Sequence, residues 1–173
     1  KWLVSYPEGY ASGLNGTDIE VGRTCDDKSI VNHDKDYTST DIDREKATAK
    51  GFTTIVLPNG ENIPTLDAYL KLALEKPATR LILEMKSLSD FNREDLAAQK
   101  IVKALKKYDL VDRTDIICFS LNACLAFKKL LPDTKIHYLN GELSPHSIKR
   151  LGLAGIHSSD NALPLHPEWA KPA

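Results

Sequence analysis

Three strand-like stretches carry acids and a histidine at spacings that could do chemistry. In Gly16-Thr17-Asp18-Ile19-Glu20-Val21, Asp18 and Glu20 are two residues apart, so an extended chain points both to one side. In Arg80-Leu81-Ile82-Leu83-Glu84-Met85-Lys86 the same rule puts Ile82, Glu84 and Lys86 together. Ile30-Val31-Asn32-His33-Asp34 is an apolar run that ends in a His-Asp pair. If these faces point to a common centre, three carboxylates meet there and repel. A divalent cation removes that cost, and an all-oxygen site suits Mg²⁺ or Ca²⁺ better than Zn²⁺. Such a cation would polarise a phosphate oxygen as a Lewis acid. His33 can exchange protons near neutral pH, and Asp34 could orient its ring. Lys86 has two uses open to it: a phosphate contact or an ion pair with Glu84. Taken singly, each feature has a plainer explanation, a solvated strand-end acid or a structural His-Asp pair. The conjunction of acids inside apolar strands, at matching ends, is what points to a metal site with an acid/base beside it.

The elements that must position these residues alternate. Strands are expected at Thr17–Val21, Ser29–Asn32, Phe52–Leu57, Leu81–Met85, Ile116–Phe119, Ile136–Leu139 and from Gly155-Ile156. Lys35–Lys50 reads as a polar loop. Thr65 is the expected N-cap of a helix whose apolar face is Leu66, Tyr69, Leu70 and Leu74. Asn92–Tyr108 reads as an amphipathic helix with Leu96, Ile101, Val102 and Leu105 near one face, and Lys103, Lys106 and Lys107 near its C-terminus suit the helix dipole. Asn122–Leu131 and Ser144–Leu151 are further helices, the latter with Ser144 as N-cap and Pro145 in the first turn. Strand–helix alternation implies parallel strands with crossover helices. An open doubly wound sheet and a (β/α) barrel both fit. No glycine-rich phosphate loop follows the first strand, which weakens the nucleotide-binding open sheet. Polar residues gather at strand C-terminal ends: Glu20, His33 with Asp34, Glu84 with Lys86, Ser120 with Asn122, and Asn140. Barrel enzymes build their sites at that end, so the barrel is preferred.

The 173 residues are of ordinary length for one domain, and an apolar fraction of 42% is enough for a core. With 23 basic and 24 acidic residues the charge is near balance, so nothing suggests a nucleic-acid partner. No stretch reaches the ~18 apolar residues of a transmembrane helix. Cys25, Cys118 and Cys124 lack metal-like spacing and are odd in number, and the last two sit in apolar settings that suit small buried hydrophobes. His137 reads as a packed or hydrogen-bonded strand residue, His146 and His166 as surface, and His157 as a strand-end residue.

Asp18-Ile19-Glu20, then Thr24-Cys25-Asp26-Asp27, then Val31-Asn32-His33-Asp34 resembles the signature of the glycerophosphodiester phosphodiesterase family. Ile63-Pro64-Thr65-Leu66 and Leu83-Glu84-Met85-Lys86 are similar to its following segments, and Phe119-Ser120 and Gly155-Ile156 fall where it has later strands. The resemblance runs in order from Gly16 to about Trp169. It implies an α/β fold, a TIM (β/α)₈-type barrel, over a single domain of residues 1–173. It implies hydrolysis of glycerophosphodiesters to glycerol 3-phosphate and an alcohol with a divalent cation, Mg²⁺ or Ca²⁺. Carried over by position, Asp18, Glu20 and Glu84 would be metal ligands, His33 one of two acid/base histidines, and Lys86 a phosphate contact. By analogy with family members the setting would be periplasmic or secreted.

The departures are specific. The family has Glu before Asp in its acid-x-acid pair, whereas here Asp18 precedes Glu20. Its first-strand His-Arg-Gly motif has no counterpart, with Lys1–Tyr10 as a candidate degraded strand, and the final strand after Trp169 is missing too. The expected barrel is therefore incomplete or irregular at its first and last strands. Residues beyond this chain, an irregular barrel, or a partner, a second copy in a homo-oligomer included, would each answer that. Two other functions stay open: a non-catalytic relative that binds phosphodiesters or lipid headgroups, and a phospholipase D-like barrel.

Overall fold

The computed structural model describes residues 16–32, 36–37, 42–43, 45–56, 60–156 and 167–170. Strand β1 (Gly16–Arg23) turns through residues 24–28 into the antiparallel β2 (Ser29–Val31). A small two-stranded ladder follows, β3 (Asp36–Tyr37) with β4 (Ile42–Asp43), and then helix α1 (Ala49–Thr53) and helix α2 (Leu66–Leu74). The rest alternates: β5 (Arg80–Met85), α3 (Phe91–Lys107), β6 (Thr114–Cys118), α4 (Leu121–Leu130), β7 (Ile136–Tyr138), α5 (Pro145–Arg150) and β8 (Gly155–Ile156).

The main sheet runs β2-β1-β5-β6-β7-β8, with every pair parallel except β1 with β2. Alternation along the strands decides its two faces. Ile19, Val21, Leu81, Leu83, Met85, Ile116, Cys118, Ile136 and Tyr138 share one buried cluster with the apolar stripes of the helices, among them Leu70, Ala97, Ile101, Leu105, Phe127 and Ile148. None of the alternate strand residues, Glu20, Glu84, Ile117 and His137, belongs to it. A doubly wound sheet would bury both faces under helices. Here one face of each strand enters the helix-packed core, as in the wall of a barrel. Among the described residues no helix is long and apolar enough to cross a membrane.

Local signals hold the helices where the sequence places them. Thr65, Ser120 and Ser144 accept the backbone N–H three residues on, at 3.2, 3.3 and 3.2 Å, and cap α2, α4 and α5. Cys118 and Cys124 are buried free thiols, as expected of small hydrophobes.

Three expectations fail. The strand expected at Phe52–Leu57 instead begins within the end of α1, started by Thr48, whose hydroxyl accepts from the Gly51 amide at 3.2 Å, and among its described residues only Val56 makes a bridge, to Asn62. Phe52 is fully buried with Ile30, Ala49 and Ile63, a second small cluster under the hairpin. Lys35–Lys50 is not wholly loop, since β3 and β4 pair within it. Leu74 and Leu96 are exposed, because the inward faces of their helices are taken by Ala73 and by Ala97, Ala98 and Ile101. The Lys1–Tyr10 strand lies outside the described residues.

Candidate functional site

The parallel pairing of β1 with β5 sets Glu20 directly opposite Glu84. Both are buried, at 8% and 6% exposure. Strands are ~4.8 Å apart, so two bare carboxylates at about 5 Å would repel by roughly 3 kcal/mol at an effective dielectric of about 20. Lys86 offsets that repulsion: its Nζ lies 3.1 Å from Glu20 Oε1 and 2.7 Å from Glu84 Oε1. Burial alone would lower the Lys86 pKa, but its contacts with Glu84 and Glu20 outweigh that and hold it above the ordinary lysine value. Of the two uses open to Lys86, the ion pair is therefore made here, and with both carboxylates.

The same row continues across the sheet: Glu84 pairs with Ile117, Ile117 with His137, and His137 with Gly155. His137 thus shares the face of the two acids, which spacing within its own strand did not reveal. A side chain at Gly155 would put its Cβ 3.2 Å from His137 Nδ1, so the glycine leaves room for the imidazole.

Of the other residues singled out in the sequence, Asp18 is placed on β1 opposite Ile82, and its side chain lies outside the described set. His33, Asp34, His157 and His166 lie outside the described residues, and His146 is exposed in α5. Ser120 and Asn122 do not reach the acids at all: both donate to Glu94, at 2.6 and 3.2 Å. Asn140 donates to the Phe119 carbonyl at 2.8 Å.

Among the described residues no group of three or more acids, histidines or cysteines forms a metal cluster. Glu20 and Glu84 fit a hard cation in part. The two carboxylates are buried, in register and offer only oxygen. Glu84 Oε1 meets Lys86 at ion-pair distance but outside hydrogen-bond alignment, so a buried carboxylate oxygen keeps an open direction.

No protein-family model and no curated protein matches the sequence. Solved structures do. A glycerophosphodiester phosphodiesterase from Parabacteroides distasonis superposes with a TM-score of 0.91 at 36% identity, over 96% of this chain and 69% of that one. A phosphodiesterase from Oleispira antarctica, solved in complex with the product sn-glycerol-3-phosphate, matches with a TM-score of 0.78 at 20% identity, over 90% of this chain and 68% of that one. The Thermotoga maritima glycerophosphodiester phosphodiesterase matches with a TM-score of 0.67 at 20% identity, over 96% of this chain and 73% of that one. These neighbours are TIM barrels, and the six-stranded, mostly parallel sheet described here is not closed, as an incomplete barrel would be. With more than a third of its residues identical to the Parabacteroides protein over nearly its whole length, this chain belongs to the glycerophosphodiester phosphodiesterase family.

Proposed function

We propose that the chain is one phosphodiesterase-like barrel domain that hydrolyses glycerophosphodiesters to glycerol 3-phosphate and an alcohol, with a divalent cation held by Asp18, Glu20 and Glu84. The observation that supports this best is the buried Glu20–Lys86–Glu84 arrangement, two carboxylates in register with one ammonium between them. The bound glycerol 3-phosphate of the Oleispira relative supports the product class. A cation bound there would supply Lewis-acid polarisation of the phosphate and neutralise developing charge.

The chain's own groups do the remainder. Lys86, held beside its two carboxylates, would add a positive charge next to a phosphate oxygen. Glu20 and Glu84 would hold the cation through their carboxylate oxygens. His33 moves a proton to or from the attacking or leaving oxygen. Mg²⁺ and Ca²⁺ are the ions that suit the donor set.

The test is release of glycerol 3-phosphate from a glycerophosphodiester, read by a coupled assay, with and without EDTA. EDTA is expected to abolish release, and Mg²⁺ or Ca²⁺ to restore it. Release that ignores EDTA, or that survives both Glu84→Ala and His33→Ala, contradicts the proposal. Ligand binding without turnover would mark a non-catalytic relative.

A further inference from the structure

Glu94 is a first-turn residue of α3, yet it is only 1% exposed. Among the described residues no lysine, arginine or histidine pairs with it. A buried carboxylate without a cation is costly unless hydrogen bonds replace its water. Three do. Glu94 Oε1 accepts the Leu88 amide at 3.2 Å, and Oε2 accepts the Ser120 hydroxyl at 2.6 Å and the Asn122 side-chain amide at 3.2 Å. Leu88 belongs to the loop between β5 and α3, and Ser120 and Asn122 to the start of α4 after β6. One carboxylate therefore joins two neighbouring loops at the C-terminal end of the strands.

A second carboxylate holds the next residue of the same loop. Glu45 Oε2 accepts the Ser89 amide at 3.3 Å, the Ser89 hydroxyl at 2.7 Å and Arg93 Nη1 at 2.8 Å. Arg93 Nη2 in turn donates to the Thr24 carbonyl at 3.0 Å, in the turn that follows β1. The loop so clamped begins at Lys86, whose own amide is tied to the Val21 carbonyl at 3.0 Å. An apolar residue at position 94 would pack against the core at lower cost, so packing alone does not account for a charge there.

We propose that Glu94 is a positioning residue of the site: with Glu45 it fixes the β5–α3 loop and thereby keeps the Lys86 ammonium seated between Glu20 and Glu84. This rests on the proposed phosphodiester site for its kinetic consequence, and on Lys86 alone for its physical one.

The decisive variant is Glu94→Asp, which keeps the charge and withdraws it by one methylene. Ser120→Ala is a milder second variant that removes one donor. Each is made in the full-length protein, with and without Lys86→Met, and thermal unfolding confirms that it is folded at the assay temperature. Glycerophosphodiester turnover gives kcat and KM, and NMR at fixed pH follows the Lys86 side-chain shifts. In Glu94→Asp, kcat/KM should fall roughly 10- to 100-fold, the scale of a small misplacement of a reacting group. In the Lys86→Met background the same change should cost less than about twofold, since there is no ammonium left to misplace. The Lys86 Nζ and Cε shifts should move away from their wild-type values. Equal losses in both backgrounds with the Lys86 shifts unmoved would overturn the proposal and leave Glu94 a purely structural group. If no form of the protein turns over substrate, the proposed function fails, and the Lys86 side-chain shifts still decide the role of Glu94: a change in Glu94→Asp supports it and no change overturns it.

Discussion

Ile19 and Glu20 are neighbours in β1, as are Leu83 and Glu84 in β5. Ile19 and Leu83 are wholly buried and belong to the apolar cluster shared with α2, α3 and α4. Glu20 and Glu84 are nearly as buried, but they meet each other and Lys86. Burial to the same degree thus does opposite things on the two faces. On the helix side it removes apolar surface from water and stabilises the chain, by roughly 1.5–3 kcal/mol per large side chain. On the other side it strips water from charges, which costs stability and strengthens every electrostatic interaction the site can offer a substrate.

That difference can be broken by single substitutions. The largest stability effect should come from the helix side: Leu83→Ala should cost about 2–5 kcal/mol of unfolding free energy in urea, while the folded fraction keeps its kcat/KM. A loss of activity beyond the loss of folded protein would mean that the two faces are not separable. On the other side, Glu84→Gln should lower kcat/KM by about 10²- to 10³-fold with a urea midpoint far closer to wild type than that of Leu83→Ala. The reverse pattern would make Glu84 a structural ion-pair partner.

The smallest effect sharpens the account away from both faces. Asp26 is held below the usual carboxylate range, first by the Thr24 hydroxyl at 2.6 Å and then by the Ala49 amide at 2.8 Å. A lowered folded pKa contributes stability that is present above the unfolded value near ~4 and is lost as pH falls through the folded value. Asp26→Asn should therefore flatten the acid limb of the urea midpoint between about pH 5 and 2, without altering kcat/KM at neutral pH. An unchanged acid limb would show that this turn contributes nothing through Asp26.

What was legible in the sequence was what local chemistry decides. Thr65, Ser120 and Ser144 cap helices through bonds three residues long, and period-two alternation alone separates Glu20 from Ile19 and Glu84 from Leu83. The facing of Glu20 and Glu84 also needed the β1–β5 register, which no spacing within one strand contains. Phe52 looked like a strand residue because β-branched Thr53, Thr54, Ile55 and Val56 follow it, whereas its burial against Ile30 and Ile63 comes from distant chain. Glu94 was invisible for the same reason. A glutamate in a first helical turn reads as solvated, and only the packing of α3 against α4 brings Ser120 and Asn122 to it.

On the proposed function, the carboxylates of β1 and β5 together hold a divalent cation. Calorimetric titration of Mg²⁺ or Ca²⁺ into the metal-free protein tests it without reliance on turnover. Wild type and Leu83→Ala, below its unfolding temperature, should each show one site, and Glu20→Gln and Glu84→Gln should each lose it or weaken it by tenfold or more, about 1.4 kcal/mol. Unchanged cation binding in both glutamine variants would contradict the account.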